Sequence, residues 1–249
     1  MRFLAKLLMC LLQVFLLILT QSAEAYIYDD FENGVIDSAK WTIASGGTLF
    51  AEHDGRLYFD ATKDAGKLVS ASTFGPGFFR MEFYDFNSTN LMAPGTHEGA
   101  FAALGLAVGD NFVRIIRCQN GNALTETKYG VFEVNYMIGS DIQVHYVNTN
   151  VTQGQLGMYY DGSTVTFFYN TTLDPYSGWQ STGWSGGWSG VWNPGWTTDP
   201  KVFIRGYDMS YQTRFSLDNV EYRPVPIPAA VWLLGSGLIS LIGMRRFRK

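Results

Sequence analysis

The chain has little with which to cross-link itself and little charge. Only two of its 249 residues are cysteine. Cys10 lies in an apolar run at the extreme N-terminus, which leaves Cys118 alone in the rest of the chain. One cysteine cannot close an internal disulfide, so oxidative stapling is excluded as the support of the folded body. Charged residues make up 16% of the chain, and the basic ones are scarcer, 18 Lys+Arg against 22 Asp+Glu. The first 25 residues carry two basic and one acidic side chain, and the last 25 carry four basic and none acidic. Residues 26–224 therefore hold 12 basic against 21 acidic groups, a net charge of −9. A body that acidic repels a phosphate backbone, which excludes nucleic acid as a partner. Helical periodicity is missing from the same stretch. His97, Glu98 and His145 stand at no triad or metal-ligand spacing and read as ordinary loop and strand residues.

The ends are where long apolar runs are found. Arg2 and Lys6 precede the run Leu7 to Leu19, and Ala23-Glu24-Ala25 offers a small-x-small cleavage site, so residues 1–25 read as a removable signal peptide with a helical core. At the other end, Ala229 to Met244 is uncharged and built of apolar and small residues. This is slightly under the roughly 17–25 residues of an ordinary spanning helix. Arg245, Arg246, Arg248 and Lys249 follow directly and belong on the cytoplasmic side by the positive-inside rule. Hydropathy thus predicts a transmembrane helix at 229–244, with the body outside.

The order of features in residues 225–249 is more particular than an anchor requires. Val225-Pro226-Ile227-Pro228-Ala229, a Gly-interrupted apolar helix and a cluster beginning Arg245-Arg246 resemble the PEP-CTERM sorting signal of Gram-negative bacteria. The variant is the one with an apolar residue where the common form has glutamate. The resemblance implies recognition and cutting by an exosortase, held in the inner membrane during processing. Delivery to the cell surface or an exopolysaccharide matrix would follow. A permanent membrane anchor is the alternative.

Between the ends, residues 26–224 suit one all-β domain. Segments rich in aromatic and branched residues alternate with Gly, Asp and Asn turns. They include Arg56–Asp60, Lys67–Ser70, Phe78–Tyr84, Phe101–Val108, Phe112–Arg117, Gly130–Met137, Ile142–Tyr146, Gln155–Tyr160, Thr164–Tyr169, Val202–Tyr207 and Thr213–Arg223. Eleven or twelve strands in one domain predict two stacked antiparallel sheets or a closed barrel. Asp64, Asp110 and Asp161 sit in Gly-flanked turns and read as turn formers. The stretch Asp29-Asp-Phe-Glu-Asn-Gly-Val-Ile-Asp-Ser-Ala-Lys-Trp41 resembles the opening of concanavalin A-like lectin/glucanase modules. Gly55–Phe59, Tyr160–Tyr169 and Ser216–Tyr222 resemble later strands of the same modules. The resemblance implies a jelly-roll sandwich whose first and last strands pair side by side.

Three sites follow as expectations. Laminarinase-type glycosidases of this fold carry Glu-x-Asp-x-(x)-Glu on one strand, where alternation turns the carboxylates toward one cleft. Glu82-Phe-Tyr-Asp85 has a three-residue gap, which on a regular strand sends the two acids to opposite faces, so the chain is expected not to be an enzyme. The alternative is a glycan-processing hydrolase using a pair drawn from Glu82, Asp85 and Glu98. The segment Tyr176–Trp196 places Trp179, Trp184, Trp188, Trp192 and Trp196 four or five residues apart among glycines, which predicts a long loop. Its indoles either cover the sandwich as a lid or form a platform for sugar rings, and self-association through them is a third reading. Finally, the resemblance places Asp29 or Asp30 beside Asp218, where related modules bind calcium through carboxylate and carbonyl oxygens. No other cofactor is implied. The favoured expectation is an exported, non-catalytic surface protein that binds glycan or packs into exopolysaccharide.

Overall fold

A computed structural model describes residues 26–62, 64–88, 100–122, 127–138, 141–185, 196, 198–208 and 212–225. The signal segment 1–25, Glu98, Trp188, Trp192 and residues 226–249 of the tail lie outside the described residues. No helix of the described residues is long and apolar enough to cross a membrane.

Alternating sequence patterns become two antiparallel sheets, as the strand count predicts. Sheet A runs β13 (Trp179–Ser185), β12 (Val165–Asn170), β11 (Gly154–Tyr160), β6 (Gly77–Ser88), β15 (Gln212–Pro224), β4 (Arg56–Thr62) and β3 (Phe50–His53), with β1 (Tyr26–Asp29) also on β15. Sheet B runs β10 (Asp141–Asn148), β9 (Thr127–Ile138), β8 (Asn111–Asn122), β7 (Ala100–Val108), β14 (Lys201–Tyr207), β5 (Ala65–Thr73) and β2 (Trp41–Ser45). All eleven predicted segments fall on strands. First and last strands pair as the resemblance implies, Tyr26 opposite Tyr222 and Ile27 opposite Glu221. Asp161 caps its turn by accepting the backbone N–H groups of Ser163 and Thr164, each at 2.7 Å.

Phenylalanine fills the space between the layers. Phe59 and Phe215 stack at 4.8 Å, Phe79 and Tyr222 at 4.9 Å, and Phe83 of sheet A meets Phe132 of sheet B at 6.1 Å. Each such ring contributes roughly 1.5–3 kcal/mol by leaving water. The side chains pointing away from this core make the outer faces of the two sheets.

One expectation about local structure is corrected. The Trp-bearing segment does not begin as a loop, because Trp179–Ser185 is strand β13. Its backbone pairs with β12, Trp179 opposite Asn170 and Ser181 opposite Phe168. The indole of Trp179 lies over Gly157, where an added Cβ would sit 2.6 Å from the ring. A partner strand and a seat for the ring outweigh the loop tendency of the intervening polar residues.

The opening motif works as a latch. The carboxylate of Asp29 is buried and accepts Trp41 Nε1–H at 2.6 Å, Lys40 Nζ at 3.0 Å and the backbone N–H of Phe31 at 3.3 Å. Phe31 is held at φ 50, and its ring stacks on Trp41. The latch joins the end of β1 in sheet A to the start of β2 in sheet B. Asp29→Ala leaves the Trp41 and Lys40 donors without their buried anion and should cost about 3 kcal/mol. Asp30→Ala, exposed next door, should stay within about 0.5 kcal/mol. Urea unfolding followed by tryptophan fluorescence checks both.

Candidate functional site

The outer face of sheet A gathers most of the described charged side chains that meet one another. On β6 the core takes Phe79, Met81 and Phe83, so Phe78, Arg80, Glu82 and Tyr84 point outward. Strict alternation would then send Asp85 inward. Asp85 instead adopts the left-handed conformation at φ 51, and Phe86 takes the next core place. The bulge leaves Asp85 on the outside, 84% exposed, beside Tyr84.

Strand β15 repeats the device. Phe215 and Leu217 are core, Asn219 is left-handed at φ 47, and Val220 and Tyr222 resume the core pattern. Asp218 follows Leu217 onto the outer face by ordinary alternation, at the level of Arg56 since Leu57 pairs with Leu217, and the bulge adds Asn219 to the same face. Arg56 faces both bulges. Its guanidinium lies 3.8 Å above the Tyr84 ring, its Nη1 is 3.8 Å from Asp85 Oδ2, and its charge acts on Asp218.

Between the bulges and the far strands lies a buried ionic network. Arg80 is salt-bridged through Nε to Glu221, through Nη1 to Glu82 Oε1 at 2.8 Å, and donates to Gln155 Oε1 at 3.2 Å. Glu221 also accepts from Arg223 at 2.5 Å. The second oxygen of Glu82 accepts Tyr84 O–H at 2.6 Å and Asn219 Nδ2–H at 3.0 Å. Both oxygens of Glu82 are therefore engaged, which makes it a holding group. Burial, then the hydrogen bond and charge of Glu82, push the Tyr84 hydroxyl well above its ordinary value, so it stays a donor.

Asp218 differs. Burial first, and then the negative charges of Glu82 and Glu32, raise its carboxyl to about 6 against the N–H of Asn219 and the charge of Arg56. A groove of about 450 Å³ continues the same face over β3, β4, β15 and β6, with Asp60, Asp85, Asn87 and Arg214 in its lining. His53 stacks on Tyr58 at 3.8 Å along its wall, and Asp60 pairs with Arg214 at 2.8 Å. Ser216 Oγ, buried in that lining, has no hydrogen-bond partner among the described residues.

The aromatic end of the face lies on β11 to β13. Trp179 meets Phe78 edge-on at 5.2 Å and donates Nε1–H to the carbonyl of Pro175 at 3.1 Å. Trp196 instead packs against the core beside Tyr160, at 5.8 Å. Trp184 lies on β13 with its side chain outside the described residues, as do Trp188 and Trp192 entirely. Asp30 is exposed, and the carboxylates acting on Asp218 are Glu82 and Glu32. Among the described residues no group of three or more His, Cys, Asp or Glu gathers to hold a metal ion. The sorting-signal residues Pro226, Ile227, Pro228, Ala229, Arg245 and Arg246 lie outside the described residues, while Val225 follows β15.

No protein-family model and no curated protein sequence matches the chain. Solved structures do match it. A mouse hindgut metagenome β-1,3-1,4-glucanase (lichenase) is similar at TM-score 0.53 and 12% identity, over 81% of this chain and 99% of its own. Apo Crh5 transglycosylase is similar at TM-score 0.56 and 13% identity, over 82% and 85%. A mutant of the GH43 protein BlXynB from Bacillus licheniformis reaches TM-score 0.58 at 11% identity. That match covers 78% of this chain and only 38% of BlXynB. The fold is therefore the concanavalin A-like jelly-roll sandwich.

These neighbours correct the expectation that the chain is not an enzyme, since the same sandwich carries a lichenase, a β-glucanase and a transglycosylase. The ground for that expectation fails as well. Glu82 and Asp85 share one face, because the bulge at Asp85 resets the alternation on which the opposite-face argument rested.

The raised carboxyl of Asp218 has a consequence for stability. In the folded chain it holds its proton up to about pH 6, whereas an unfolded aspartate ionises near 4. Ionisation therefore costs the folded state increasingly as pH rises from about 4 through 6. Asp218→Asn should melt at a higher temperature than the parent at pH 8, and the gap should close at pH 4. Calorimetric scans of both proteins at the two pH values check this.

Proposed function

We propose that the chain is an exported glycan-processing hydrolase that works on the outer face of sheet A. Asp218 is its general acid, and Asp85 is its base or nucleophile. The observation that carries this reading is the left-handed bulge at Asp85, which turns its carboxyl to the face where Asp218 already stands, so that two carboxyl groups of different environments meet one arginine. Hydrolysis of a glycosidic bond needs such a division of labour: one carboxyl keeps a proton to give the leaving oxygen, and the other attacks or activates water.

The surroundings fit these roles. Asp218 is half-buried beside Glu82, so it reaches neutral pH partly protonated, while Asp85 is open to solvent and to a bound chain. Burial keeps the acid protonated, and Glu82, tied down by Arg80, Tyr84 and Asn219, adds its negative field. The groove beyond Asp85 offers the His53–Tyr58 stack, and the opposite end offers Trp179, Phe78 and the exposed Tyr159 as rings for the C–H faces of sugars. Export and handling by an exosortase are supported by the sequence of residues 1–25 and 225–249. An extracellular or matrix polysaccharide is accordingly the substrate class.

Release of reducing ends from mixed-linkage and β-1,3-glucans by the purified full chain tests the proposal. Activity should fall as pH rises above about 6, and Asp218→Asn and Asp85→Asn should each lower kcat at least about a hundredfold. Undiminished release by both variants would rule out the assignment, as would a parent protein that cleaves none of the glycans.

A further inference from the structure

We infer that the outer face of sheet B holds a second glycan site, one that takes the anionic group of an acidic polysaccharide on Lys67 and Arg205. The two cations stand directly opposite each other on β5 and β14. Like charges in that register destabilise a sheet unless something of opposite sign relieves them. Among the described residues neither side chain makes an ion pair.

Both instead lie against aromatic rings. Lys67 Nζ is 4.6 Å from the centroid of Phe203, and the Arg205 guanidinium is 5.5 Å from Tyr207 and 5.8 Å from Phe101. Arg114, buried on β8, adds a third positive charge, 4.7 Å from the same Phe101 ring. Phe203 reaches this position because Gly105 lies beneath it, where a Cβ would meet the ring at 2.1 Å. Burial and the charges of Arg205 and Arg114 pull the Lys67 ammonium below its ordinary value, with Asp110 opposing. This concentration of positive charge stands out in a body whose net charge is −9.

The shape of the patch selects the ligand. Lys67 and Arg205 are partly exposed, so an oxyanion can reach both, the guanidinium offering two parallel N–H donors to a carboxylate or sulfate. Tyr207, also partly exposed, flanks Arg205 and can meet the C–H face of the sugar that carries the anion. A uronate or sulfated sugar combines both features, whereas a neutral sugar lacks the charge and free phosphate lacks the ring. The patch lies on the other sheet from Asp85 and Asp218, so it is an accessory site, independent of the proposed chemistry.

Affinity electrophoresis of the full chain tests the inference, with polygalacturonate, a sulfated galactan and a neutral β-glucan in the gel and inorganic phosphate as competitor. Retardation by one or both acidic polymers should weaken about tenfold or more in Arg205→Gln and in Lys67→Met. Both variants should melt no lower than the parent, since each removes a like-charge repulsion. The double variant Asp85→Asn/Asp218→Asn should bind the acidic polymers as the parent does, which separates this site from the hydrolase reading. The inference is overturned by three results: no retardation by either acidic polymer at low salt, retardation unchanged in the two cation variants, or phosphate displacing the polymers at equal anion concentration.

Discussion

Every strand in a two-layer sandwich must send alternate side chains into the one shared core, and this constraint decides what the outer faces can carry. Where alternation is strict, the outer face is a fixed subset of the sequence. On β6 it yields Phe78, Arg80, Glu82 and Tyr84, and on β15 Arg214 and Ser216. Where a residue enters the left-handed region, the strand adds one outward place without giving up a core place. Asp85 and Asn219 do this on neighbouring strands, and the place added at Asp85 brings its carboxyl to the face where Asp218 already meets Arg56. Left-handed aspartate and asparagine cost less than other side chains, and their strain is of order 1 kcal/mol.

The two outer faces use charge in opposite ways. Sheet A buries Arg80 between Glu82 and Glu221, a cation with two anions, and closes most of their hydrogen-bonding capacity within the protein. Burial raises the Asp218 carboxyl beside it, and the negative charge of Glu82, anchored by that closure, adds to the rise. Sheet B sets Lys67 beside Arg205 and offsets their repulsion with aromatic quadrupoles. The first arrangement is internally balanced and the second is not, which is why they point to different partners. The latch at Asp29 links the layers on which both faces rest.

Much of the architecture was legible in the chain alone. Aromatic and branched runs parted by Gly and Asp marked eleven strands, and the Asp-Asp-Phe and Lys-Trp motif marked the start of the module, though not the latch that Asp29, Lys40 and Trp41 form there. The absence of helical periodicity excluded every class but all-β. Local signals of this kind survive because period-2 burial and turn chemistry are properties of a few consecutive residues. Strand β13 escaped because its pairing depends on β12 and its ring on Gly157, neither of which is near it in sequence.

What the sequence by itself determined is therefore the all-β class, the acidic charge of residues 26–224 and the lack of a disulfide within them, with the resemblance to concanavalin A-like modules adding the sandwich. Tertiary structure alone decided the sites. Whether Glu82 and Asp85 share a face depends on one backbone dihedral at Asp85, which residue type permits but does not dictate. Whether Asp218 meets Arg56, or Lys67 meets Arg205, depends on register between strands separated by more than a hundred residues. Such register is set by the fit of the whole core, since a slip of one residue would turn every side chain to the wrong side.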